Sequence, residues 1–212
     1  MITVLIKDDG EPKVVQLTYE NLWRELKDIP DAQLIVTDNW VNALASVKTK
    51  FVSFVEADCL VNSGYFKSMT NFLRKKALYG RVGFLASAVG VNTWGNKVYG
   101  YSVGNQYTDG VQPVREKKSK QLYPVQIGYL PGAVLRVDMF KDVLNEFKPN
   151  QHWEDDLVYL SAKTSFGFWN KDLMVYVNPN STYVTTEDYV SNIGDFDPEP
   201  GKLIEKFNRE LI

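Results

Sequence analysis

Phe51-Val52-Ser53-Phe54-Val55-Glu56-Ala57-Asp58 reads as a buried strand running straight into two carboxylates one residue apart. Side chains of a strand alternate between its faces, so residues i and i+2 point the same way. Glu56 and Asp58 are thereby expected to address one point in space from a rigid support. Hard oxygen donors at the carboxyl end of a sheet strand suit Mg²⁺ or Mn²⁺ carrying a phosphate-bearing substrate. A strand that ends in an ordinary polar turn would show the same residues, because Asp is common in turns. The surrounding chain has to decide between the two.

Upstream, Ile2 to Ile6 is a short aliphatic run stopped by Lys7-Asp8-Asp9-Gly10, a turn signal. Thr18 looks like an N-cap, and Tyr19, Leu22, Trp23 and Leu26 recur at helical spacing until Pro30-Asp31. Leu34-Ile35-Val36 is a second buried strand ending at Thr37-Asp38-Asn39, and Val41, Leu44, Ala45 and Val47 suggest a second helix. The order β-α-β-α-β predicts a parallel sheet with crossover helices. Ligands of such sheets sit outside the carboxyl ends of the strands. Asp8 and Asp9, Asp38, and Glu56 with Asp58 all fall at such ends.

Downstream, Ser63 is expected to cap a helix running to about Leu78, with Tyr65, Phe66, Met69, Phe72 and Leu73 as its apolar face and Gly80 as its stop. Val82 to Tyr107 reads as a hairpin insertion around Trp94-Gly95-Asn96-Lys97. Residues 108–121 are polar without periodicity and read as a loop that closes over a ligand. Val125 to Tyr129 and Ala133 to Val137 are extended, Met139 to Phe147 and Asp155 to Ser165 helical, the latter ended by Phe166-Gly167. Leu173 to Val177 is a final strand, and Leu203 to Leu211 a terminal helix. The expected organisation is one α/β domain over 1–212, with a nucleotide-binding half at 1–60, an acceptor and catalytic half at 80–178, and a tail at 179–212.

The length of 212 residues fits one domain with a full-sized core. A net charge of −2 gives no global field for nucleic acid or an anionic membrane. The single cysteine, Cys59, excludes an internal disulfide. No apolar run reaches the length of a membrane span, and no signal-peptide pattern opens the chain, which leads to the expectation of a cytoplasmic protein.

His152-Trp153-Glu154-Asp155-Asp156-Leu157 is the second concentration of chemistry. Acidic residues in a first helical turn complement the helix dipole, which accounts readily for one carboxylate. Three in succession repel one another, and in a cleft such repulsion raises a carboxylate's pKa and suits it to general-base work. One acidic cluster holding metal and diphosphate, and another taking a proton from an acceptor hydroxyl, is what attack at a sugar anomeric carbon needs.

With these segments in this order, the chain resembles the family 2-like glycosyltransferases of the GT-A fold. Leu34-Ile35-Val36-Thr37-Asp38 resembles the family's second strand, and Phe51 to Asp58 its Asp-x-Asp-type strand end. Gly128-Tyr129-Leu130-Pro131-Gly132-Ala133-Val134-Leu135-Arg136 resembles the strand-Gly-strand segment beside the donor sugar. Trp153-Glu154-Asp155-Asp156-Leu157 is similar to the acidic motif that supplies the base in inverting members. The resemblance implies a single GT-A-type domain with a mostly parallel central sheet flanked by helices. It also implies metal-dependent transfer of a sugar from a nucleotide-diphosphate donor to an acceptor hydroxyl, inverting and non-processive. Asp38 would contact the base, while Glu56 and Asp58 would hold the ribose and a Mn²⁺ or Mg²⁺ ion on the diphosphate. Gly132 would lie beside the donor, and Trp153 would stack on a sugar ring. Asp155 would be the base, with Asp156 as its nearest substitute and Glu154 beside them. The acceptor stays open between a saccharide, a protein and a modified nucleic-acid base. Glu56 at the first motif position and Lys7-Asp8-Asp9 at the end of the first strand depart from the pattern. Two other readings compete: a GT-A-fold binding module with a decayed site, and a nucleotidyltransferase. The latter needs a Gly-rich basic loop where this chain has Asp8-Asp9-Gly10-Glu11-Pro12-Lys13.

Overall fold

A computed structural model of the chain describes residues 1–8, 12–57, 59–76, 82–91, 97–98, 104–107, 110–113, 122–125, 132–138 and 166–177. In chain order these form β1 (Ile2–Lys7), α1 (Pro12–Leu26), β2 (Gln33–Thr37), α2 (Trp40–Ser46), β3 (Phe51–Glu56), β4 (Cys59–Val61) and α3 (Tyr65–Lys76). They continue as β5 (Val82–Val91), β6 (Lys97–Val98), β7 (Gly104–Tyr107), β8 (Gly110–Pro113), β9 (Leu122–Val125), β10 (Val134–Arg136) and β11 (Phe166–Val177). The expected helices over 139–147, 155–165 and 203–211, the helix stop at Gly80 and the tail lie outside the described residues.

The main sheet runs β2-β1-β3-β10-β5-β11-β4, with β6 on β5 and β9 on β11. β1 is parallel to both β2 and β3, and β11 is parallel to β5. The short β10 lies antiparallel between β3 and β5, so β5 points the same way as β3. The result is a mixed α/β domain with a mostly parallel sheet, consistent with the GT-A-type arrangement expected from the sequence.

Each strand has two faces, and apolar residues cover both. Ile2, Val4 and Ile6 of β1 and Phe51 and Val55 of β3 pack with Leu22 and Leu26 of α1 and Tyr65, Phe66, Met69 and Leu73 of α3. On the opposite face, Leu5, Val52 and Phe54 pack with Trp40 and Leu44 of α2 and with Phe84 and Leu135. β1 and β3 are therefore mostly apolar, as strands covered on both faces must be, with Thr3 and Ser53 the buried polar positions. Burying one such side chain contributes about 1.5–3 kcal/mol. Trp40 meets Phe54 edge-on, centroids 5.2 Å apart.

Several expectations are corrected. Thr18 does not cap α1. The helix begins at Pro12, whose fixed φ and missing N–H suit a first helical position, and Thr18 lies inside it, buried. Leu34-Ile35-Val36 is an edge strand only partly covered, with Val36 39% exposed, because nothing pairs β2 beyond β1 among the described residues. The second helix forms where expected: α2 starts at Trp40, with Asn39 as its cap accepting from the Asn42 N–H at 3.1 Å. For α3 the first helical bond runs from Ser68 N–H to Gly64 C=O at 2.9 Å, so Gly64 and not Ser63 occupies the cap, with φ +75°. The stretch read as a loop over 108–121 contains β8, which pairs with β7 as a separate two-stranded sheet. Phe166 and Gly167 open β11, which begins earlier than the expected strand over Leu173 to Val177, and Gly167 sits in register with Phe84.

Candidate functional site

The parallel registers align three strand ends. Thr37 of β2 and Glu56 of β3 are both Cα partners of Lys7 in β1. The sequence order of these strands is 1-2-3, but their spatial order is 2-1-3, so β1 supplies the middle of the platform. At about 4.8 Å between neighbouring strands, Thr37 and Glu56 end up roughly 10 Å apart across Lys7. Alternation puts Thr37, Lys7 and Glu56 on the face that carries Ile35, Leu5 and Phe54, which is the α2 side.

Asp38 follows immediately and is exposed. Its placement is fixed by its neighbours. The Thr37 hydroxyl bridges over it to the Asn39 N–H at 3.0 Å and the Asn39 C=O at 3.1 Å. The Asp8 N–H reaches across to the Thr37 C=O at 2.8 Å, extending the β1–β2 pairing past the strand end. Asp38 is thus presented to solvent from a turn bonded on both sides. Glu56 is half-buried at the end of β3.

Gly132 sits beside the same end. Its N–H donates to the Phe54 C=O at 2.7 Å, and its carbonyl accepts from the Tyr65 hydroxyl at 2.8 Å. Its φ of +75° lies in the left-handed region, which favours glycine. Tyr65 is fully buried, and its oxygen also lies 2.7 Å from Ser87 Oγ. A phenol has one proton and the Gly132 carbonyl can only accept, so the Ser87 hydroxyl donates into the Tyr65 oxygen. Burial pushes the Tyr65 pKa well above its ordinary value, and the Ser87 bond offsets this only in part. A neutral, two-bonded phenol therefore ties α3 and β5 to the turn before β10.

The structure brings Asp38, Glu56 and Gly132 to one edge of the sheet, at the carboxyl ends of β2 and β3. Asp58, Trp153, Glu154, Asp155 and Asp156 lie outside the described residues. Among the described residues no group of three or more His, Cys, Asp and Glu is placed to hold a metal ion. Two residues of the platform escaped the sequence reading. Lys7 places its ammonium 5.4 Å from the Trp40 ring centroid, over a side chain that is itself 2% exposed. The only signal for Lys7 was its position at the end of the first strand. Trp40 directly follows a capping Asn, which marks it as the first helical residue.

No protein-family model matches the sequence, and no curated protein matches it either. Solved structures do. TarS of S. aureus, residues 1–349, superposes with a TM-score of 0.51 at 11% identity, over 84% of this chain and 60% of that one. The same TarS segment in complex with UDP-GlcNAc gives 0.53 at 11% identity, over 85% and 59%. A longer TarS structure gives 0.53 at 13% identity, over 89% and 37%. The chain thus spans about 60% of the TarS 1–349 structure. At these identities the likeness is one of fold. Among the described residues no helix is long and apolar enough to cross a membrane.

Proposed function

We propose that this chain is a glycosyltransferase that moves a sugar from a nucleotide-diphosphate donor to an acceptor hydroxyl. The observation that carries the reading is the shared carboxyl edge. Asp38, Glu56 and Gly132 lie at the carboxyl ends of neighbouring strands, where open α/β sheets bind ligands, in a fold similar to that of TarS, which has been captured with UDP-GlcNAc. Asp38, exposed on its bonded turn, accepts hydrogen bonds from the base. Glu56 and Asp58 face the ribose and diphosphate. Gly132, lacking a side chain, leaves room beside the donor sugar.

The donor set at Glu56 and Asp58 consists of carboxylate oxygens, which fits Mn²⁺ or Mg²⁺. When bound, such an ion supplies charge neutralisation at the diphosphate. Asp155 takes the proton from the acceptor hydroxyl as its oxygen attacks the anomeric carbon. The new C–O bond forms on the face opposite the departing nucleotide diphosphate, so configuration inverts. Asp156 and Glu154 keep the surroundings of Asp155 acidic, and Trp153 offers a stacking face for a sugar ring.

Incubation of purified protein with a panel of nucleotide sugars and Mn²⁺ tests the reading through release of free nucleotide diphosphate. Turnover of at least one donor is expected. Asp155→Asn should lower kcat by roughly 10²–10⁴-fold while leaving donor affinity in place. Absence of both donor binding and donor hydrolysis across the panel overturns the proposal. A second reading, a nucleotide-binding module without transfer chemistry, is favoured by Lys7. It pairs with Glu56 in register, so a basic residue shares the sheet face with the carboxylate assigned to the metal. That reading predicts binding with no turnover and no effect of Asp155→Asn.

A further inference from the structure

Helix α1 carries a polar stripe that the catalytic reading leaves unused. Thr18, Asn21 and Glu25 are spaced i, i+3 and i+7 and so share one helical face. Each reaches away from its own helix to the backbone of the segment that follows β3. Thr18 Oγ1 donates to the Ala57 carbonyl. The Asn21 amide accepts from the Val61 N–H at 2.9 Å and donates to the Val61 carbonyl at 3.2 Å. Glu25 Oε2 accepts from the Gly64 N–H at 2.6 Å. The contacts run in the same order on both partners, spread over about 10 Å of helix at 1.5 Å per residue.

Helix formation alone does not call for these residues. Thr and Asn are weak formers in a helix interior, and a mid-helix hydroxyl ordinarily folds back onto its own i−4 carbonyl. Thr18 is 1% exposed and bonds Ala57 instead. The need for a tether follows from the topology. β3 lies inside the sheet, whereas β4 is the last strand of the path, held by β11 through Val61↔Val175, Leu60↔Tyr176 and Cys59↔Val177. On the outer edge of β4, the Asn21 amide occupies the place where another strand's peptide would pair. The connection leaving Glu56 is therefore anchored by helix side chains at the points where strand pairing gives out.

We propose that this stripe positions Ala57 and Val61, and with them the carboxyl end of β3, for the ligand, and that Asn21 is its principal positioning residue, setting affinity for a nucleotide diphosphate through the backbone it holds. The inference rests on the nucleotide-sugar reading above. Residues that orient the ligands of a metal site from outside typically change metal affinity or activity about 10–100-fold when removed, and the same scale is expected here for nucleotide bound with Mn²⁺.

Calorimetric titration of UDP and of GDP in the presence of Mn²⁺, on wild type, Asn21→Ala, Thr18→Val and Leu73→Ala, tests it alongside thermal melts of each. Leu73 is fully buried in the same core but belongs to α3, so its truncation destabilises without touching the stripe. Asn21→Ala should raise Kd about tenfold. Thr18→Val, which keeps the shape and loses the hydroxyl, should raise it less, and it carries the test should Asn21→Ala fail to fold. Leu73→Ala should lower the melting temperature at least as far while Kd stays within about twofold, because burial and not the tether is lost. Wild-type binding that neither stripe variant weakens overturns this inference alone. A wild type that binds neither nucleotide overturns the functional reading, and this inference with it.

Discussion

Removing a single oxygen with Tyr65→Phe leaves two groups without their partner. The Gly132 carbonyl loses its donor at 2.8 Å, and the Ser87 hydroxyl loses its acceptor at 2.7 Å. Ser87 is 1% exposed and Tyr65 fully buried, so water does not replace what is lost. A buried polar group left unpaired costs about 1–3 kcal/mol, so two of them put the substitution at about 2–6 kcal/mol. At the lower end of that range, for a chain of this size, the melting temperature falls by roughly 4–8 °C. The pH dependence supplies an independent signature. Burial raises the Tyr65 pKa above its ordinary value, so the folded protein keeps the proton where the unfolded chain releases it. The stability this confers is complete below about pH 10 and is lost as pH climbs beyond, at up to ~1.4 kcal/mol per unit. The Tyr65→Phe protein has no such proton and lacks this slope, so its deficit against wild type should narrow above pH 10. Chemical denaturation of both proteins from pH 8 to 11 checks this. A deficit below about 1 kcal/mol at pH 8, or one that stays constant to pH 11, refutes the hydrogen-bonded, neutral phenol.

Gly167→Ala places a methyl group 2.3 Å from the Phe84 ring, so the buried ring or one of the two strands has to move, and a loss of about 1–3 kcal/mol is expected in denaturant unfolding. Gly132→Ala forces a side chain into the left-handed region at φ +75°, costing roughly 1–2 kcal/mol, and the same protein should bind the donor more weakly in a nucleotide titration. Asp38→Ala removes an exposed carboxylate, so its melting temperature should match wild type within about 1 °C while nucleotide affinity falls.

The features legible in the sequence are those with local causes. Phe51 to Val55 declared itself as a buried strand because both faces of β3 are covered and every position is apolar or small. Asp38 and Glu56 were placed at strand ends because the apolar runs stop there. What escaped has tertiary causes. Thr18 carries the signature of a cap, and only its bond to Ala57, far away in sequence, shows why a hydroxyl sits mid-helix. Leu34 to Val36 are apolar enough for a central strand, yet sheet order puts them at the edge. Gly110 to Pro113 form a strand without apolar alternation, and among the described residues β8 pairs with β7 alone. At Gly167 the sequence does not show that the Phe84 ring leaves no room for a side chain. The contact of Lys7 with Trp40 joins β1 to α2 and has no local signal at all.

The central claim is that a nucleotide diphosphate binds at the carboxyl edge shared by β2, β1 and β3. A crystal structure of the protein soaked with UDP or GDP and Mn²⁺ addresses it directly. The account predicts the base within hydrogen-bonding distance of Asp38 and the diphosphate beside Glu56, with Gly132 at the far end of the ligand. Nucleotide bound elsewhere on the molecule, or an empty edge at saturating nucleotide, contradicts it.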